Sequence, residues 1–159
     1  PEVLKENIMD PIGASREWTW HGYGKNSVAE INGKQIESVS GGTRWGGGLW
    51  IHSRDLARFG LLILNKGNWD GKQLVSEKWI REATTPSAHG PDYGYLWWLN
   101  TKQQHWPSGP ASSFAAIGAG GNMIWIDPDH DVVLVWHWHD YGAAVDGMIQ
   151  RILAAIKSS

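Results

Sequence analysis

The stretch Phe114-Ala-Ala-Ile-Gly118-Ala-Gly120-Gly121-Asn122-Met-Ile-Trp-Ile-Asp127-Pro128 reads as a strand that runs into closely spaced glycines and leaves again as a second strand. Branched and aromatic side chains suit a pleated surface, and the glycines suit a tight connection or a place where bare backbone meets a ligand. Asp127-Pro128-Asp129-His130-Asp131 supplies turn chemistry, and Val132-Val-Leu-Val-Trp136-His-Trp138 supplies a third strand. Residues 122–126 and 132–138 are therefore expected to pair as an antiparallel hairpin. Farther on, Val145, Met148, Ile149, Ile152, Leu153 and Ile156 fall on one face of a helix over residues 143–156, which should lie on the sheet. In the other direction, Tyr93-Gly-Tyr-Leu-Trp-Trp-Leu99 has the composition of a fourth strand.

Upstream of residue 90 the pattern changes. Ser53 reads as an N-cap with Asp55 in the first turn, and Leu56, Phe59, Gly60, Ile63 and Leu64 recur at helical spacing up to Asn65-Lys66-Gly67. A turn at Asn68-Trp-Asp70-Gly71 leads to a second helix capped by Ser76 and ended before Pro86. Residues 41–48 hold five glycines and read as a loop. Asn32-Gly33, between residues 28–31 and 34–39, carries the signal of a two-residue hairpin turn. Leu4, Ile8 and Met9 make residues 1–9 look like the tail of a helix, stopped at Asp10-Pro11. The composition shift divides the chain into residues 1–90, with helices, a hairpin and a Gly-rich loop, and residues 91–159, with antiparallel strands and a helix. Together they are expected to form one partial domain.

Composition removes whole classes of function. Fourteen Lys+Arg against sixteen Asp+Glu give a formal charge of −2, so no basic field draws nucleic acid or an anionic membrane. With no Cys there is no disulfide framework and no cysteine nucleophile. No apolar run reaches the roughly 18 residues of a membrane span. Twelve Trp against two Phe, with twenty Gly, suggest aromatic surfaces set among tight turns. Trp45 and Trp50, flanking the Gly-rich loop, are binding candidates, whereas Trp79, Trp125 and Trp136 read as packing residues. His137 and His139 stand at i and i+2, yet no zinc signature accompanies them, and a turn explains the Asp127, Asp129 and Asp131 alternation. No metal and no cofactor is assigned.

Order along the chain points further. Gly47-Gly48-Leu49-Trp50-Ile51-His52-Ser53-Arg54-Asp55-Leu56-Ala57-Arg58-Phe59-Gly60 resembles the serine β-lactamase and penicillin-binding-protein superfamily, closest to its class C-like esterase and hydrolase branch. The segments beginning at Asn68, Tyr93 and Gly118, then Asp127-Pro128 and Val132-Val-Leu-Val135, keep the family's order to the end. The resemblance covers the carboxy-terminal part of a family member. It implies an α+β, β-lactamase/transpeptidase-like fold whose antiparallel sheet is covered by the C-terminal helix.

Such enzymes acylate the Ser of a Ser-x-x-Lys motif, aided by Tyr-x-Asn or Ser-x-Asn and a Lys-Thr-Gly-like strand. No Ser here has Lys three places on, and Tyr23, Tyr93, Tyr95 and Tyr141 are followed two places on by Lys25, Tyr95, Trp97 and Ala143. The resemblance places both motifs upstream of Pro1, so the chain is expected to be catalytically silent alone. It puts Ala116, Ile117 and Gly118 at the third motif and Gly120 and Gly121 beside it, all as substrate-binding positions. It makes the backbone N–H of Ala119 one oxyanion donor. Ala116 removes the family's cation, which argues against β-lactam recognition and for an ester or amide substrate.

The expected partners are a small acyl ester or amide, a missing amino-terminal half, and further copies of this chain. Without that half the sheet should show an open edge and an uncovered apolar face, favouring self-association. The resemblance suggests a periplasmic or extracellular setting. A Trp-rich carbohydrate-binding module and a non-catalytic interaction protein are the alternatives.

Overall fold

The computed structural model describes residues 1–22, 28–37, 48–118, 120–138 and 143–157. The loop expected over 41–48 lies outside them except for Gly48. Four strands form the central sheet: β7 (Trp98–Leu99), β8 (Phe114–Gly118), β9 (Asn122–Asp127) and β10 (Val132–Trp136), in the order β10-β9-β8-β7. All neighbours are antiparallel, with Gly118 opposite Asn122 and Val132 opposite Asp127. The β9–β10 turn is closed by its own acid. Asp127, fully buried, accepts the backbone N–H groups of Asp129 and His130 at Oδ1 and holds the His130 ring at Oδ2, 2.7 Å away. The turn needs no ion.

Strand alternation divides the sheet's side chains between two faces. On one face Ala115, Met123 and Trp125 pack with Val145, Ile149 and Leu153 of α4 (Ala143–Lys157), as the helical stripe predicts. On the other, Phe114, Ile124 and Ile126 meet Ile63 of α2 (Ser53–Leu64) and Ile80 of α3 (Glu77–Ala83). Among the described residues each face of the sheet carries helix, α4 on one and α2 with α3 on the other. The approach of α2 is closest at Gly60, where a Cβ would stand 2.6 Å from Val133 Cγ1 and 2.9 Å from Ile124 Cγ2. The result is three layers: α4, the sheet, and α2 with α3.

The far side of α2 carries the amino-terminal segment. A turn of helix, α1 (Glu2–Leu4), passes into a π-helical Lys5–Met9, and Met9 and Ile12 bury against Leu62. Three two-stranded ribbons complete the described structure: β1 (Thr19–Trp20) with β4 (Leu49–Trp50), β2 (Val28–Ile31) with β3 (Lys34–Glu37), and β5 (Asn68–Trp69) with β6 (Lys72–Gln73). Asn32 and Gly33 both take positive φ, 53° and 75°, the geometry that their hairpin turn demands.

Three expectations are corrected. Ser53 is the first helical residue rather than the cap; His52 holds the cap position in an extended conformation and spends its imidazole on Glu17, 2.7 Å away. Of residues 93–99 only Trp98 and Leu99 form strand, because the preceding chain folds back on itself, with the Gly94 N–H donating to the Trp97 carbonyl. Trp79 is 50 % exposed and stacks on Tyr95 at 5.6 Å instead of filling the core, whereas Trp125 is fully buried and Trp136 packs against the α4-side core. The two sheet edges also differ. β7 is two residues long, and β10 presents five apolar residues with no second strand paired to it among the described residues.

Candidate active site

β8 outruns its neighbour. Trp98 pairs with Ala115 and Leu99 with Phe114, and there the ladder stops, since Leu96, at φ 64°, turns the chain away. Residues 116–118 extend past β7 toward a glycine turn. This end of β8 is the place in the sheet where a strand flank and a tight turn meet. Gly120 and Gly121 lie at φ 81° and 75°, a backbone shape that no ordinary side chain adopts cheaply.

The residues expected at the site divide as follows. Ala116 is half-buried at the start of the overhang. Ile117 turns its side chain into the α4-side core, so what it presents to the flank of β8 is backbone. Gly118 and Gly120 are exposed and Gly121 is buried. Ala119, Trp45 and His139 lie outside the described residues. Trp50 belongs to a different ribbon, where it is 67 % exposed and its ring lies 4.3 Å from that of His21.

Three residues not assigned to the site from the sequence, Asn122, His137 and Trp138, gather at the same turn. Asn122 Oδ1 lies 2.7 Å from His137 Nδ1. An amide oxygen only accepts, so in this contact Nδ1 carries the proton. The ring's Nε2 is buried with no hydrogen-bond partner among the described residues. Trp138, next along the chain, is 82 % exposed at φ 60°, and its indole lies over Gly120. The register explains the gathering: Trp136 pairs with Met123, so the residues following β10 come back beside the residues opening β9. The sequence showed a His-Trp-His run at a strand end; its contact with Asn122 depends on a register that spacing alone does not provide.

A second polar cluster lines a cavity of about 500 Å³ formed by Gly13, Ser15, Glu17, His52, Arg54, Asp55 and Arg58. Ser15 Oγ donates to Asp55 Oδ2 at 2.6 Å, and Arg58 Nη1 donates to Asp55 Oδ1 at 3.1 Å. Burial pushes the Asp55 carboxyl up, but the Ser15 hydroxyl and backbone N–H together with the Arg58 guanidinium outweigh it and hold the carboxyl below its ordinary value. A carboxylate so stabilised is a weak base. It fastens the amino-terminal segment to α2 rather than activating Ser15. Among the described residues no group of His, Asp and Glu is arranged to hold a metal ion, and no helix is long and apolar enough to cross a membrane.

Residues 5–157 match the beta-lactamase family. The chain belongs to that family. Its α+β architecture, an antiparallel sheet with a C-terminal helix across it, is the β-lactamase/transpeptidase-like fold. It is 30 % identical over 133 residues to the 6-aminohexanoate-dimer hydrolase of Paenarthrobacter ureafaciens, a match spanning 69 % of this chain and 32 % of that protein. Two solved structures share the fold. A β-lactamase from Mycobacterium bovis superimposes with a TM-score of 0.58 at 22 % identity, over 97 % of this chain and 55 % of that one. A penicillin-binding protein homolog from Caulobacter crescentus gives 0.62 at 19 % identity, over 98 % and 52 %. This beta-lactamase-family chain thus spans less than half the length of the curated relatives it matches, 32 % of one and 46 % of another.

Proposed function

We propose that the chain is the carboxy-terminal segment of a serine hydrolase that transfers an acyl group from an ester or amide to water. The observation that carries this reading is the overhang of β8 beyond β7, toward Gly120 and Gly121 at positive φ. A carbonyl substrate lying along that flank meets backbone rather than a charged side chain, and the family resemblance makes the backbone N–H of Ala119 the oxyanion donor. The attacking hydroxyl comes from a Ser-x-x-Lys segment that this sequence does not contain. That oxygen adds to the carbonyl, the alcohol or amine departs with a proton, and water then cleaves the acyl-serine to a carboxylic acid.

Ala116 favours neutral substrates. With no cation at that position, a substrate carboxylate has no partner from this strand, which favours esters and linear amides over β-lactams. A relative named as a 6-aminohexanoate-dimer hydrolase supports the hydrolase reading.

The test pairs the chain with an amino-terminal half from a family member that carries Ser-x-x-Lys and Tyr-x-Asn. The restored protein is expected to hydrolyse p-nitrophenyl acetate and to be labelled by a fluorophosphonate on the supplied half, while the 159-residue chain alone stays unlabelled. Trapping of labelled penicillin with no turnover of esters would refute the substrate preference. Labelling of the chain alone would refute its silence.

A further inference from the structure

We infer that a cleft between α2, α3 and one end of the sheet binds a medium-chain carboxylate, with the hydrocarbon tail on an apolar floor and the head group on Arg81. The cleft encloses about 340 Å³, and its floor is Ile63, Leu64, Ile80, Phe114 and Pro128. It lies apart from the candidate active site. Phe114 opens β8 and Pro128 follows β9, whereas Gly118 and Asn122 stand at the other ends of the same strands, about 13 Å off at the rise of a strand. The inference is therefore independent of the hydrolase reading.

The charges stand at the rim and do not balance. Lys66 and Glu77 face each other at 3.6 Å, and Glu82 is taken by Lys78 at 3.8 Å. Arg81, which lines the same cleft, has no ion-pair partner among the described residues, so the rim carries one uncompensated positive charge. The Thr84 hydroxyl, also on the lining, already donates to the Ile80 carbonyl at 2.9 Å. An apolar floor beside a guanidinium that is not spent on the protein suits a ligand with an apolar body and an anionic end, and a guanidinium matches a carboxylate with two parallel N–H donors. Because Arg81 is exposed, the head group stays at the water's edge and its charge is not stripped of solvent. The volume lies near the lower end of ligand cavities, roughly 300–1,000 Å³, and so fits one short chain rather than a two-tailed lipid.

The test titrates the 159-residue chain, its isoleucine methyls carbon-13 labelled, with sodium octanoate below its micelle concentration. Octanoate is expected to shift the Ile63 and Ile80 methyls saturably and to leave those of Ile31 and Ile156, exposed on other elements, where they are. Butanoate, shorter by four methylenes, should saturate at a concentration at least about tenfold higher. Arg81→Gln, at an exposed helical position, should weaken octanoate about threefold and leave octan-1-ol unchanged. Octylammonium should bind more weakly than octanoate. Unmoved Ile63 and Ile80 methyls, equal shifts at Ile31 and Ile156, or equal saturation by octanoate and butanoate would overturn the site. Octanoate binding indifferent to Arg81→Gln, an equal loss for octan-1-ol, or tighter binding of octylammonium would overturn the carboxylate.

Discussion

Gly60 shows how one hydrogen atom sets the spacing of two layers. Ala at a helix interior is worth about 1 kcal/mol over Gly, so the replacement Gly60→Ala gains something locally. Against that, the new methyl would sit 2.6 Å from Val133 Cγ1 and 2.9 Å from Ile124 Cγ2, on side chains whose branching at Cβ leaves little room to rotate. Overpacking of this kind costs about 1–3 kcal/mol, so Gly60→Ala is expected to lower the urea midpoint. A raised midpoint would mean that α2 lifts from the sheet freely. At Asp55 the balance is electrostatic. Its folded pKa is depressed, so its contribution is fully present above the unfolded value, about 3.9, and is lost as pH falls through the folded one. Asp55→Asn should therefore destabilise the protein at pH 7 by about 1–3 kcal/mol, and the gap from the parent should close as the solution is taken below pH 4. Urea titrations between pH 7 and pH 3 measure both; a gap independent of pH would show that hydrogen-bond geometry alone was lost.

Elements defined by their own periodicity were legible in the sequence. The stripe from Val145 to Ile156 marks α4, and the branched and aromatic runs on either side of the 127–131 turn mark β9 and β10. Asn32-Gly33 and the Ser76 cap were legible for the same reason: each is a local device whose geometry is set by its own backbone. What stayed hidden depends on contacts across the chain. Residues 93–97 have the composition of a strand, but Tyr95 donates its N–H to the Ala83 carbonyl and Leu96 takes a left-handed conformation, so the ladder to β8 is only two residues long. The loop between β7 and β8 is organised by Asn100, completely buried, whose amide donates to the carbonyls of Trp106, Gly109 and Pro110. No spacing rule announces an asparagine in that role. The candidate site was half legible: its glycines are visible in order, whereas Ile117 facing the core and His137 meeting Asn122 follow from register.

At the scale of the whole molecule, a sheet with helices on both faces still has two edges. β7 is short, and its flank is partly taken up by the bridge between Tyr93 and Trp98. β10 is longer and wholly apolar, Val-Val-Leu-Val-Trp, without the lysines or prolines that proteins place on sheet edges, and among the described residues no second strand pairs with it. We propose that two copies of the chain meet at this edge, strand against strand about a two-fold axis. Light scattering at micromolar concentration should give a mass above that of one chain; a monomeric mass would refute the association. If two copies meet there, folding and pairing become linked equilibria. The unfolding midpoint then rises with the amount of protein in the cuvette, and a substitution at Gly60 or Asp55 has a free-energy cost only at a stated concentration.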